Sequence, residues 1–409
     1  MRAKLRAFGV VAIASFAVLF AAGAAAPPSA SPTPHPRPHR SPTPSLATAL
    51  RNDLVAYLVE RRKAEHISTL SVSVSRGAGA SPVTATASVP NFGPTGTVTP
   101  KSLFQIGSNT KSFTSAAILQ LEAEGKLRLD QTVGKWLPQY PQWRTITIRR
   151  LLNMTSGIPT YDNEQTFQRA YAASPHRRYT PEQLLAYVAH VPLVHGYYYS
   201  NSAYLLAQLI VERASGHSYA YELHHRLFAP LGLDDTYYNT DVSPAPVLAR
   251  TVPGYFANTD EDTRGLRPLL NRNVRGFSLS WAQGAGGIVS TPSDLIRWVR
   301  ALYRGPVLAT EQRKELQQIV SMNTGHPIAA TSAGDPRGFG LGVGQMRMEP
   351  IGRFWFYQGT TFGYRVLYMY APESDLVFAL GANSQPSDGQ DQIGKLMATI
   401  YRTIRHYGR

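Results

Sequence analysis

Phe104-Gln105-Ile106-Gly107-Ser108-Asn109-Thr110-Lys111-Ser112-Phe113-Thr114 decides how the rest of the chain is read. The stretch leaves a strand-like segment, Ser102–Ile106, and enters a helical pattern over Lys111–Glu124. Residues three apart on a helix share a face, so the Lys111 side chain can reach the Ser108 hydroxyl. A serine is a poor nucleophile until a neighbouring base takes its proton. A lysine can be that base when burial or nearby positive charge lowers its pKa. The helix N-terminus adds free N–H groups and a dipole that favour negative charge on reacting oxygens. A Ser-x-x-Lys is expected about once by chance in a chain of this size, so the pattern alone decides little. It occurs once here.

The context adds weight. The run continues through Ile118-Leu119-Gln120-Leu121 and Gly125-Lys126-Leu127-Arg128-Leu129-Asp130. As a whole it resembles the serine β-lactamase-like family, which includes class C β-lactamases, D-Ala-D-Ala carboxypeptidases and related esterases. Leu151-Leu152-Asn153-Met154-Thr155-Ser156-Gly157-Ile158-Pro159 resembles the family's next shared segment. The resemblance implies Ser108 as nucleophile and Lys111 as base.

The family's second element is Tyr-x-Asn. The bare pattern occurs at Tyr161–Asn163, Tyr199–Asn201 and Tyr237–Asn239. Only Tyr199-Ser200-Asn201 runs into a helix of the expected kind, Ser202-Ala203-Tyr204-Leu205-Leu206-Ala207, ending Ala214-Ser215-Gly216. The resemblance implies that Tyr199 passes a proton to the leaving group and that Asn201 orients lysine and substrate. Residues i and i+2 of an extended segment point to one side, so both can face one cleft.

The third element departs from the family. Where the family places Lys-Thr-Gly, His-x-Gly or a variant, this chain has Tyr357-Gln358-Gly359-Thr360-Thr361-Phe362-Gly363-Tyr364. Gly359 permits close approach of backbone and substrate. The resemblance implies an oxyanion hole from the N–H groups of Ser108 and Thr360. Tyr357 can donate a hydrogen bond but carries no positive charge near neutral pH. Recognition of a substrate carboxylate is thereby called into question. Arg365 is read as a surface residue of the following strand in preference to a replacement cation. A fourth matching segment, Trp281–Leu295, is read as structural, with lining of the cleft kept open, and Thr291, Pro292 and Asp294 make a strong helix start.

Composition excludes other chemistries. There is no cysteine, so there is no thiol nucleophile, disulfide framework or thiolate metal site. The eleven histidines show no metal-ligand spacing with acids. No G-x-S-x-G elbow, H-E-x-x-H or phosphate-binding glycine loop is present. No cofactor and no metal are expected. The formal charge is +15, but basic residues are scattered without a block or module for nucleic acid. Five basic residues and no acid precede residue 46, so +10 belongs to the remainder.

Residues 1–26 have a basic start, an apolar run from Phe8 to Ala22 and small-x-small sites, the pattern of a secretory signal peptide. The run is shorter than the roughly 20 residues that span a bilayer. Residues 27–45 read as a disordered Pro/Ser/Thr-rich spacer. The expected setting is therefore exported, periplasmic or secreted, with no stable membrane span after cleavage and an undetermined oligomeric state.

Over 46–409, strand signals fall at Thr69–Arg76, Val83–Val89, Phe354–Gln358, Arg365–Tyr370 and Leu376–Gly381. Helices are expected at Ser45–His66, Pro181–His190, Ser202–Ser215, Tyr219–Leu227, Pro292–Tyr303 and Gln390–Ile404. Strands at both ends of the chain must share a sheet. This predicts an α+β fold: an antiparallel sheet (about 46–110 and 340–409) flanked by N- and C-terminal helices, with an all-helical subdomain (about 111–339) inserted. The expected function is an active-site serine hydrolase acting through an acyl-enzyme on amide, lactam or ester carbonyls of a small-molecule or peptidoglycan-type substrate. A D-Ala-D-Ala carboxypeptidase or β-lactamase-related enzyme, a carboxylesterase and a non-catalytic binding homologue all stay open.

Overall fold

The computed structural model describes residues 45–77, 79–90, 98–238 and 241–407. The leader read at 1–26, the spacer read at 27–45 except Ser45, and Asn239 of the third Tyr-x-Asn lie outside them.

Alternating and β-branched segments form the strands. In chain order they are β1 (Thr69–Arg76), β2 (Val83–Ser88), β3 (Phe104–Gln105), β4 (Tyr237–Tyr238), β5 (Tyr255–Ala257), β6 (Ile288–Ser290) and β7 (Ile319–Ser321). They continue with β8 (Pro327–Ile328), β9 (Arg337–Phe339), β10 (Gly344–Met348), β11 (Gly352–Thr361), β12 (Tyr364–Ala371), β13 (Leu376–Ala382) and β14 (Ser384–Pro386). Nine of them make one antiparallel sheet in the order β2-β1-β13-β12-β11-β10-β9-β7-β8. The two ends of the chain meet at the β1–β13 pair, where Val72 lies opposite Leu380.

Both faces of the central strands β12 and β13 are covered, so every position of the two strands is buried and most are apolar. On one face Leu367, Met369, Phe378 and Leu380 pack with Leu50, Leu54 and Leu58 of the helix Leu46–Arg61 and with Leu396 and Ile400 of the helix Ile393–His406. On the other face Val366, Tyr368, Val377 and Ala379 join the core of the helical layer. There the helix Pro292–Arg304 lies on the sheet. It starts as expected, with Thr291 accepting from the Asp294 N–H and Pro292 in the first turn.

The α+β class holds, with two corrections. The insert is not all helical. β4 and β6, within the residues assigned to the helical layer, form a small sheet with β3, and β7–β9, also within them, belong to the large sheet. Those strands are only two or three residues long, too short for a period to show. Arg365 is neither a surface residue nor a substrate cation. It is 1 % exposed on β12. Its guanidinium donates to Glu65 Oε2 at 2.8 Å, to the Ser384 carbonyl at 2.8 Å, and to Asp391. Glu65 also accepts from Tyr57 at 2.7 Å and Arg61 at 3.0 Å. Burial opposes the charge on Arg365, and Asp391 and Glu65 more than offset it, so its pKa is raised. This network ties the end of the first helix to the sheet and to the start of the last helix.

Breaking a buried ion pair from one side costs about 3–5 kcal/mol, because the other charge is left uncompensated. Glu65→Ala is expected to lose that much in urea unfolding. A loss below about 1 kcal/mol would show that the network is not what fixes the two helices to the sheet.

Candidate active site

The site begins where β3 ends. Gly107–Asn109 is a single 3-10 turn that feeds directly into the helix Thr110–Ala123. Gly107 has φ +51°, and a side chain there would lie 2.7 Å from the Thr360 backbone nitrogen. Across the gap, a Cβ on Gly359 would lie 1.9 Å from the Ile106 carbonyl and 2.7 Å from the Ser108 nitrogen. The turn and β11 therefore touch backbone to backbone, with no room for side chains. Asn109 stitches the contact: its Nδ2 donates to the carbonyls of Ile106 and Val366, both at 2.8 Å. Ser108 and Thr360 are thus brought to one spot and line one cleft.

One helical turn after Ser108, Lys111 is fully buried. Its Nζ lies 3.1 Å from Ser108 Oγ, 2.6 Å from Asn201 Oδ1 and 2.8 Å from the Ala285 carbonyl. Burial pushes the amine well below the ordinary lysine range, while Asp162 pulls it back up. A neutral amine has two N–H bonds and one lone pair. Asn201 and Ala285 present only acceptors, and they take the two N–H bonds. In that neutral form the lone pair would face the Ser108 hydroxyl, which could donate to it.

Asn201 is held in the matching orientation. Its Nδ2 donates to Asp162 Oδ2 at 2.7 Å, which leaves Oδ1 for Lys111. Its backbone N–H donates to Thr160 Oγ1 at 3.0 Å, so the single Thr160 hydroxyl proton goes to Asp162 Oδ1. Burial raises the Asp162 pKa, yet both of its oxygens act as acceptors here, which is the bonding of a carboxylate. Asp162, Thr160 and the Ala285 carbonyl were not singled out as site residues from sequence. Asp162 lies inside the Tyr161–Asn163 match that was set aside. A lone acid in the otherwise uncharged run Gly157–Asn163 was the available signal.

Tyr199 and Tyr357 close the other end. Their hydroxyls are 3.0 Å apart, and the Lys111 Nζ lies 4.8 Å from the centre of the Tyr199 ring. Burial raises the Tyr199 pKa, although hydrogen bonding with Ser108 and Tyr357 works against it. Burial also raises that of Tyr357, with Tyr199 and Tyr204 adding to the effect. Both stay neutral phenols. Phe339 packs against both rings, with centroids 6.5 Å from Tyr199 and 5.6 Å from Tyr357.

All seven residues singled out from sequence, Ser108, Lys111, Tyr199, Asn201, Tyr357, Gly359 and Thr360, converge on this one place. The cleft beside Ser108 is walled by Trp281 and Phe362, whose rings stack at 4.1 Å, and holds about 20 Å³, room for about one water. Trp281 comes from the segment read as structural, for which lining of the cleft was kept open. No cluster able to hold a metal ion is found among the described residues.

Asp162→Asn tests this circuit. It removes the clamp on Asn201 and the charge that raises the Lys111 pKa. Labelling of Ser108 by a fluorophosphonate is expected to slow about tenfold or more, the effect of losing a charge-assisted hydrogen bond. The acidic limb of the labelling rate should shift to lower pH, because the amine loses its proton more readily. A limb that stays put or moves to higher pH contradicts the coupling.

Known proteins share the sequence pattern and the fold. The family model described as Beta-lactamase matches residues 54–398. Penicillin-binding protein 4* of Bacillus subtilis is 33% identical over 233 residues, covering 56% of this chain and 51% of the relative. The chain thus spans about half the length of the curated relatives it matches. Among solved structures, a D-stereospecific amidohydrolase from Streptomyces sp. is 26% identical, with a TM-score of 0.69, covering 86% of this chain and 97% of that one. A D-amino acid amidase from Ochrobactrum anthropi SV3 shares the fold, with a TM-score of 0.70 at 22% identity, over 89% of this chain and 99% of that one. With the Ser108–Lys111 turn, the Tyr199–Asn201 pair and the β11 edge assembled on this fold, the chain belongs to the β-lactamase family.

Proposed function

We propose that this protein is an exported serine hydrolase that cleaves amide or ester carbonyls through an acyl-enzyme on Ser108. The observation that carries the reading is the buried Lys111 Nζ, 2.6 Å from Asn201 Oδ1, 2.8 Å from the Ala285 carbonyl and 3.1 Å from Ser108 Oγ, so that in its neutral form the amine has a lone pair to offer the serine. Lys111 is then the first base. Tyr199, a neutral phenol, is a proton donor to the leaving group and not the group that activates Ser108. The N–H groups of Ser108 and Thr360 stabilise the oxyanion, and water releases the acyl group. No metal or cofactor enters any of these steps.

The leaving-group end favours neutral groups. Tyr357 stands where a family cation often stands, and Arg365 is committed to Glu65 and Asp391. Amides and esters without a free carboxylate on the leaving group are therefore the proposed substrates, ahead of D-Ala-D-Ala peptides. The similarity to a D-stereospecific amidohydrolase supports this preference.

A fluorophosphonate should label the native protein at Ser108, and Ser108→Ala should abolish both labelling and turnover. Turnover unchanged in Ser108→Ala would leave a non-catalytic role for this site. In a panel of amino acid amides, p-nitrophenyl esters, a penicillin and a D-Ala-D-Ala peptide, amides or esters should be turned over fastest. Faster release of D-alanine from the peptide would overturn the leaving-group assignment. Export rests on the leader-like sequence at 1–26. N-terminal sequencing of the protein from its native host should find a start near residue 27, and retention of the first 26 residues would contradict it.

A further inference from the structure

The circuit above leaves a buried polar side chain of the cleft unused. Gln385 lies on β14, which pairs in parallel with β5 and places Gln385 opposite Phe256. It lines the cleft with Ser108, Trp281, Thr360, Thr361 and Phe362, and is 4 % exposed. Its Oε1 is buried and has no hydrogen-bond partner among the described residues.

Its neighbours are spent on the fold. Asn383 accepts from the backbone of Ser68 and Thr69 and donates to the Pro253 carbonyl. Ser384 accepts from Arg365 through both its carbonyl and its hydroxyl. The Thr361 hydroxyl is taken by Gln105, and both Asp162 oxygens are taken by Thr160 and Asn201. A buried side-chain carbonyl without a partner is uncommon and costs free energy, so it calls for a ligand that completes it.

Position says which part of a ligand. Tyr199 and Tyr357 form the leaving-group end, and neither lines the cleft in which Gln385 sits. β11 runs from Tyr357 past Gly359 to Thr361, and Gln385 shares its cleft with Thr361 and Phe362, at the end of that strand away from Tyr357. Resting on the serine-hydrolase reading, we propose that Gln385 is a specificity residue for the acyl half of the substrate. Its Oε1 accepts a hydrogen bond from an N–H carried near the reacting carbonyl. The stacked rings of Trp281 and Phe362 cover the apolar part of the same group. The protein would then favour amino-acyl or acylamino-acyl groups over plain fatty acyl groups. A site built around a hydrogen bond discriminates strongly against the analogue that lacks it, because its own polar group is left unpaired.

The test uses two esters that differ by one group: p-nitrophenyl N-acetylglycinate and p-nitrophenyl levulinate, in which CH2 replaces the N–H. The readout is the ratio of their kcat/KM values, corrected for uncatalysed hydrolysis. Gln385→Met, close in shape but without the amide, is expected to lower the ratio about tenfold or more. Gln385→Glu keeps an acceptor and should restore most of the preference. An unchanged ratio in Gln385→Met, including the case in which both esters slow in parallel, overturns the proposal and marks Gln385 as structural. A native protein whose Ser108 is acylated by neither ester overturns the serine-hydrolase reading and this inference with it.

Discussion

The burial of one amine organises this protein. Lys111 sits on the first turn of a helix, out of contact with water, between the carbonyl oxygens of Asn201 and Ala285. A charged ammonium is expensive in such a place, and burial shifts the equilibrium to the neutral form. Once neutral, the amine is a base, and the only direction left for its lone pair is Ser108. The same burial that makes the group costly to charge makes it useful. Asp162 sets the limit: it is close enough to hold Asn201 by hydrogen bonding, and its charge restrains how far the Lys111 pKa falls.

Each layer of the fold supplies one wall of that arrangement. The helical layer brings Asp162, Asn201 and Ala285. The sheet brings β11, whose Gly359 lets the strand lie against the Ser108 turn. The sheet must itself be held, since β11 is only as well placed as β12 and β13 beside it. The Arg365 network clamps that part of the sheet to the first and last helices, far in sequence and adjacent in space. The residue read from sequence as a surface arginine is thus committed to positioning the strands that line the site.

What was legible in the sequence follows from how local each signal is. Ser108 and Lys111 are three residues apart, Tyr199 and Asn201 two apart, and Tyr357 to Thr360 lie on one strand. Short spacings fix relative direction, and resemblance to a family added their common destination. The large strands were legible because period-two and continuous apolar runs persist over many residues. Asp162 was not legible as a partner of Asn201, because 39 residues separate them and only the folded chain joins them. Arg365 misled for the same reason: its partner Glu65 is 300 residues away. The two- and three-residue strands β3 to β9 carry no period that a sequence can show. Gln385 was silent because a single amide in a short strand has no pattern at all.

The state of the Lys111 amine at neutral pH is the measurement on which the account rests most directly. Carbon-13 labelling of lysine, with the Lys111 resonance assigned through a Lys111→Arg variant, would follow its ε-carbon through a pH titration. The expected midpoint lies well below that of the surface lysines, with Lys111 neutral in the range where Ser108 is acylated. A Lys111 that titrates together with the surface lysines would contradict it, for a protonated amine has no lone pair to offer the serine.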